Sequence, residues 1–354
     1  MTRIAADLVV GRGSSGVVDF GATITDVSST GRADERVAYL CSGFVDLQVN
    51  GFDDVDVWRS GTERDHLAID RVSQRLLDSG VTSWQPTLVT APLERYEPVI
   101  EFLTSAQLTG SRSIGVHLEG PFLGRAPGAH RREAIIDVDD AFVSSLPSAV
   151  TMMTIAAESP GATNAIRELA AKGVRCSLGH SRPSRSEYVQ ARTAGAVSVT
   201  HLFNAMSGID HREPGLATWA LLDDSMFLGL IADSVHVHPD VLALAFRNAL
   251  ERIVLVSDSV GWNATPGVEL RDGAPRLADG TLAGSALTLD SAVRHCVAAG
   301  VAPESALLAA SRNPARLMGL HDRGLVAAGQ RADLVGLDDD LNVVAVWLDG
   351  RRVR

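Results

Sequence analysis

Residues 114–123 read IGVHLEGPFL. The apolar, β-branched start predicts a buried strand, yet the run carries His117 and Glu119, two titratable groups that are costly to remove from water. The same arrangement recurs along the chain. GFVDLQVNG (43–51), VTSWQPTLV (81–89), VTMMTIA (150–156), RCSLGHS (175–181), SVTHLFNA (198–205), FLGLIAD (227–233) and IVLVSDS (253–259) are further strand candidates, most of them closing on polar side chains. Amphipathic helical patterns lie between them, such as HLAIDRVSQRLLDSG and NAIRELAAKG, the second closed by a glycine. Eight strands in βα alternation predict an α/β protein with a (β/α)8 TIM-like barrel, although periodicity alone also admits an open doubly wound sheet.

The two ends read differently. Residues 1–41 and 322–354 show strand-like pieces without helices, such as VVDFGATITDV and NVVAVWLDG. A small β-sandwich domain built from both termini is expected, flanking a barrel over residues 42–321. The 354 residues accommodate both units.

Bulk composition excludes several function classes. A net charge of −11 argues against a nucleic-acid partner, which requires basic stripes. Lys172 is the only lysine, and Cys41, Cys176 and Cys296 are odd in number and widely spaced, as expected of reduced, buried thiols. No segment reads as a signal peptide or a membrane span, so a cytoplasmic protein without a membrane partner is expected.

In such a barrel, chemistry gathers at the C-terminal ends of the strands. Those ends carry Gln48 and Asn50, Glu119, His180, His201 and Asn204, Asp233 and His236, and Asp258. Glu119, His180 and His201 form a donor set suited to a divalent transition metal, zinc or iron, with a position left open for water. Such a metal lowers the pKa of bound water from about 15.7 toward about 7. Asp258 is placed to accept that water's proton and pass it to a leaving nitrogen. Taken singly, each residue has a commoner structural role: a hydrogen-bonded histidine, a surface glutamate, an aspartate capping the next helix. Together, on four strands at one barrel end, they point to a site. His117 faces the same way one pleat lower and reads as structural.

The order and spelling of these motifs carry a resemblance. GVHLEGPFL, GAH (128–130), LGHS (178–181), THLFNAM (200–206), REPG (212–215), IADSVHV (231–237), LVSDS (255–259), GTLAGSALTL (280–289) and GQRADLVGLD (329–338) together resemble the N-acetylglucosamine-6-phosphate deacetylases of the amidohydrolase superfamily. The resemblance implies hydrolysis of the acetamide of N-acetylglucosamine 6-phosphate to glucosamine 6-phosphate and acetate. It implies one divalent metal per subunit on Glu119, His180 and His201, with Asp258 catalytic. Ala129 and His130 match the substrate contact near the amide, and Asn204 and Ala205 the loop that holds the sugar. Arg212 and His236 match phosphate contacts; an arginine fork suits a phosphate dianion. Leu282, Ala283 and Gly284 match the loop that closes over the ligand, and a homodimer is expected.

Departures refine these expectations. Many amidohydrolases carry HxH on the first strand and a carboxylated lysine bridging two metals. Here Gln48 and Asn50 replace the histidines and Lys172 lies near a helix end, so one tightly held metal is expected rather than dihydroorotase-like or hydantoinase-like chemistry. Around His130 and Asp258 the chain reads RREAI and SDS, where the family more often has asparagine–proline and a flanking threonine and alanine. The galactosamine epimer is therefore an alternative substrate, and a non-catalytic barrel scaffold is an alternative of another class.

Overall fold

The computed structural model describes residues 2–354. Four strands open the chain: β1 (Thr2–Val9), β2 (Ser14–Phe20), β3 (Ile24–Ser28) and β4 (Glu35–Ser42). Eight follow in βα alternation: β5 (Phe44–Val49), β6 (Val81–Val89), β7 (Val116–Glu119), β8 (Val150–Ile155), β9 (Arg175–Leu178), β10 (Ala196–Val199), β11 (Phe227–Leu230) and β12 (Ile253–Leu255). The chain ends on β13 (Leu334–Leu337), β14 (Val343–Leu348) and β15 (Arg351–Arg352).

Strands β5 to β12 pair in sequence order, each parallel to the next. Just beyond β5 and β12 the ring is drawn together: the Asn50 amide donates to the Ser259 carbonyl at 2.8 Å and the Asp258 amide to the Gln48 carbonyl at 2.9 Å. This is the nearly closed barrel expected from the alternation. Its strands are buried on both faces, which is why they read as continuous apolar runs.

Several runs stop earlier than their apolar composition suggests. β9, β10 and β12 end at Leu178, Val199 and Leu255, short of His180, His201 and Asp258. Those three residues have φ of 50°, 31° and 48°, a left-handed backbone that no strand continues through.

The helices follow local rules. Helix His66–Asp78 buries Ala68, Ile69, Val72, Leu76 and Leu77, an i, i+3/i+4 stripe, and Asp65 caps it by accepting the Ala68 amide at 3.0 Å. Helix Arg185–Ala194 starts on a reciprocal capping box between Ser184 and Glu187. The helix Leu216–Leu222 starts where Ser207 takes up its first amides: the Ser207 hydroxyl accepts from Leu216 at 2.9 Å and its carbonyl from Ala217 at 3.0 Å. Lys172 donates to the carbonyls of Val143 (2.9 Å) and Ser144 (2.8 Å) and pairs with Glu168, so its amine serves the helical layer and no strand end.

Both termini build one seven-stranded sheet, ordered β15-β14-β13-β4-β1-β2-β3. β13 pairs antiparallel with β4, Leu334 opposite Ser42 and Leu337 opposite Tyr39, so the C-terminal strands join at the middle of the sheet. Ile4, Val18, Phe20, Ile24, Leu40, Leu334 and Trp347 form its own apolar cluster, with Phe20 edge-on to Trp347 at 5.9 Å.

A buried carboxylate joins sheet to barrel. Asp333, 1% exposed, accepts Arg112 Nη1 at 3.1 Å, Arg331 Nε at 3.0 Å and the Asp349 amide at 2.8 Å. Asp349 in turn binds both guanidinium groups at 2.5 Å. Breaking a buried pair costs about 3–5 kcal/mol, and partial exposure of Arg112 and Arg331 reduces this. Asp333→Ala is therefore expected to destabilise the protein by about 2–3 kcal/mol in urea unfolding; a loss below ~0.5 kcal/mol would remove this cluster as the tie between the two units.

Candidate active site

Glu119 is the last residue of β7, and His180 and His201 stand just past β9 and β10. Glu119 Oε1 lies 3.2 Å from His180 Nε2 and 3.1 Å from His201 Nε2, and the two Nε2 atoms are 3.1 Å apart. The other ring nitrogens settle the tautomers. His180 Nδ1 faces the Ala126 carbonyl at 3.1 Å and His201 Nδ1 the Asn204 carbonyl at 3.2 Å. A carbonyl only accepts, so each Nδ1 carries the hydrogen and each Nε2 presents a lone pair. With both rings neutral, three buried acceptors thus converge, and the donor that reaches them is the Gln48 amide on Glu119 Oε1 at 3.0 Å.

Such a triangle requires positive charge. Burial alone would raise the pKa of Glu119, but hydrogen bonding to His180 and His201 outweighs it and holds the carboxyl well below the usual range. Burial alone would lower that of His201, yet the hydrogen bond and charge of Glu119 raise it. A divalent metal meets the same demand without a proton. With metal–ligand bonds of about 2.0–2.1 Å, a tetrahedral site spaces its ligand atoms about 3.3 Å apart, close to the observed edges. Hydrogen bonding of Nδ1 to a backbone carbonyl is also the usual way metal-bound histidines are oriented. The residues fit a metal.

His130 extends the set. Its ring packs edge-on to His180, centroids 4.4 Å apart, and Nε2 points toward Glu119 Oε2 at 3.9 Å. Donor atoms of Glu119, His130 and His180 lie within 4.8 Å of one another, a wider group than the triangle with His201. Burial and the charge of His180 push the pKa of His130 down to about 3. Its Nδ1 sits 2.8 Å from Thr90 Oγ1.

Asp258 closes the inner site. Gln48 Nε2 donates to Asp258 Oδ1 at 3.0 Å and to Glu119 Oε1 at 3.0 Å, while Asn50 Nδ2 donates to Asp258 Oδ1 at 2.8 Å. Two amide donors on Oδ1 leave Oδ2 as the oxygen free to take a proton. Burial and the nearby charge of Glu119 push the Asp258 carboxyl up to about 8. One layer lower, Asp46 accepts the amides of Ser257 (3.2 Å) and Gln48 (3.3 Å), and burial pushes it up to about 6. His117 is structural: Nδ1 meets the Leu47 carbonyl at 2.9 Å and Nε2 the Thr154 hydroxyl at 2.8 Å. Burial lowers its pKa, as a neutral ring between these partners requires.

The remaining candidates form an outer ring. Asn204 directs its amide to the carbonyls of His201 and Leu202, both at 3.3 Å, and the Ala205 carbonyl accepts the Ser181 amide. Ala129 precedes His130 in a half-buried turn. Leu282, Ala283 and Gly284 run beside Asp258, whose carbonyl accepts the Ser285 amide at 2.8 Å. Gly284 has φ +77° and a Cβ there would stand 2.4 Å from Val260 Cγ1, so only glycine fits that approach. His236 is buried and its Nδ1 is 2.6 Å from Asp233 Oδ2, leaving Nε2 for another partner. Arg212 is exposed, and among the described residues its guanidinium makes no ion pair with the inner site.

Sequence reading passed over Thr90, Asp46 and Glu158. Thr90 and Glu158 each directly follow an apolar strand run, the same cue that marked Glu119. Asp46 sits inside a strand, where alternation with Gln48 and Asn50 was the available signal.

Comparisons with known proteins agree with this geometry. Residues 39–353 match the Amidohydrolase family. The chain is 38% identical over 345 residues to an N-acetylglucosamine-6-phosphate deacetylase of Bos taurus, covering 89% of this chain and 83% of the relative. It is 35% identical over 331 residues to an N-acetylgalactosamine-6-phosphate deacetylase of Escherichia coli O157:H7, covering 88% and 87%. A Mycobacterium smegmatis N-acetyl-D-glucosamine-6-phosphate deacetylase mutant, solved in complex with N-acetyl-D-glucosamine 6-phosphate, superposes with a TM-score of 0.88 at 30% identity, covering 99% of each chain. With its barrel, its converging carboxylate and imidazoles, and relatives spanning nearly its full length, the chain belongs to the amidohydrolase family, in the branch of the N-acetylglucosamine-6-phosphate deacetylases.

Proposed function

We propose that this protein hydrolyses the acetamide of N-acetylglucosamine 6-phosphate, releasing acetate and glucosamine 6-phosphate. The observation that carries this reading is the buried triangle of Glu119 Oε1, His180 Nε2 and His201 Nε2 beside a carboxylate with one free oxygen. Glu119, His180 and His201 would hold one divalent metal, zinc by preference, which supplies Lewis-acid polarisation and a nucleophile at neutral pH. Asp258, ionised once a cation offsets the charge of Glu119, takes the proton of the attacking water on Oδ2 and returns it to the amine as the C–N bond breaks. Gln48 and Asn50, as donors, hold the other oxygen. His130, with Nδ1 against Thr90, turns Nε2 toward the acetamide carbonyl. Ala129, Asn204 and Ala205 shape the sugar pocket, with Leu282, Ala283 and Gly284 as its cover.

Phosphate recognition falls to Arg212 and His236. The exposed guanidinium of Arg212, which makes no ion pair among the described residues, supports this, as does His236, whose Nδ1 is engaged by Asp233 so that Nε2 is left for another partner. Arg212 is exposed, and a homodimer whose second subunit completes the phosphate site is part of this reading. Among the described residues no helix is long and apolar enough to cross a membrane. Domain limits of 1–41 with 322–354, around a barrel over 42–321, suit the separate apolar cluster of the terminal sheet.

The purified protein should release acetate from N-acetylglucosamine 6-phosphate with a higher kcat/KM than from the galactosamine epimer; the reverse order would favour the second substrate, and no release from either would defeat the function. Asp258→Asn should lower kcat by about 10²–10⁴-fold with metal content unchanged, since an amide can neither accept nor return the proton. Arg212→Ala should chiefly raise KM, because the phosphate is remote from the bond broken. Zinc affinity should weaken as pH falls from 8 to 6, because a proton held more tightly by His201 competes for the lone pair that binds metal. Calorimetry in buffers of different ionisation enthalpy measures the released proton; pH-independent affinity would contradict the assignment.

A further inference from the structure

Glu158 lies past the end of β8, away from the triangle, yet it holds both loops that position His180. Its Oε1 accepts the amide of Arg125 at 3.0 Å and that of Arg182 at 2.7 Å, and its Oε2 accepts the Ser181 hydroxyl. Arg125 adjoins Ala126, whose carbonyl receives the Nδ1–H of His180. Ser181 and Arg182 directly follow His180 on the other loop. The two loops also meet where the Gly124 amide donates to the His180 carbonyl at 2.9 Å.

The carboxylate therefore joins the segment bearing the histidine to the segment bearing the carbonyl that fixes its tautomer. Sterics point the same way: a Cβ on Gly124 would stand 2.2 Å from Glu158 Oε1, so the loop approaches the carboxylate only because residue 124 lacks a side chain. The Ser181 hydroxyl completes the tie by accepting the Ala157 amide at 3.1 Å. Partners of this kind orient ligating imidazoles and contribute about 10–100-fold to metal affinity.

We propose that Glu158 is a positioning residue for the metal site, holding His180 with Nδ1 on the Ala126 carbonyl and Nε2 presented to the cation. This rests on reading Glu119, His180 and His201 as metal ligands. Loss of the carboxylate frees the two loops and lets the ring rotate away from the Ala126 carbonyl, which weakens metal binding without touching a ligand. Glutamine keeps an oxygen for the two amides and an N–H for the Ser181 hydroxyl, so it preserves the tie.

The test is zinc affinity by chelator competition, together with the visible spectrum of the cobalt-substituted protein. Glu158→Ala should weaken zinc binding about 10–100-fold and alter the cobalt spectrum, while Glu158→Gln stays within about threefold of the native affinity with the native spectrum. Native affinity in the alanine variant, or equal loss in both variants, would overturn the proposal. Should Glu158→Ala not fold, Gly124→Ala, which drives a methyl group into the carboxylate, is expected to weaken zinc binding similarly, and native affinity there would overturn it. Failure of the native protein to bind zinc would overturn the metal reading and this proposal together, and is told apart because it precedes any substitution.

Discussion

Three lone pairs that face one another in a dry barrel mouth set the terms for the rest of this structure. Glu119 Oε1, His180 Nε2 and His201 Nε2 stand 3.1–3.2 Å apart, with both Nδ1 hydrogens committed to backbone carbonyls. Lone pairs at that spacing repel, and the Gln48 amide, which donates to Glu119 Oε1 at 3.0 Å, relieves only the carboxylate corner. Positive charge at the centre would offset that repulsion, and the same demand draws a proton toward His201 and away from Glu119.

The backbone shows how much local cost is accepted around that centre. His180, His201 and Asp258 adopt left-handed φ, as does Ser234 beside Asp233. Such conformations cost of order 1–3 kcal/mol each outside glycine and endure only where surrounding contacts impose them. Here they turn side chains from the barrel wall into its mouth at the points where β9, β10 and β12 end. Gln48 has a complementary part. A single amide donates to both Glu119 and Asp258, so one residue of β5 sets the position of a carboxylate on β7 and another past β12.

Much of this was legible in the chain. The alternation of apolar runs and amphipathic segments pointed to parallel strands with helices between them, in a barrel or an open sheet, because parallel strands buried on both faces must be apolar throughout. Charged residues closing such runs marked Glu119, His180, His201 and Asp258, since burial of that kind needs compensation. Glu158 was missed although its cue was equal, because its significance lies in which amides it meets. The helix start at Leu216 was not legible either, because Ser207, nine residues earlier, decides that boundary through hydrogen bonds.

The division follows from what linear order can encode. Sequence alone carried the alternation that gives the class of fold, the side chains whose chemistry suits a cation, and the acidic balance that argues against nucleic acid, because periodicity, residue chemistry and net charge are properties of the chain itself. Tertiary structure alone decided that Glu119 meets partners 61, 71 and 82 positions away, which nitrogen of each histidine faces inward, and which oxygen of Asp258 is left free. Those outcomes depend on how the barrel's strands are staggered when the ring closes, and stagger arises from pairing between strands rather than from the pattern within any one of them.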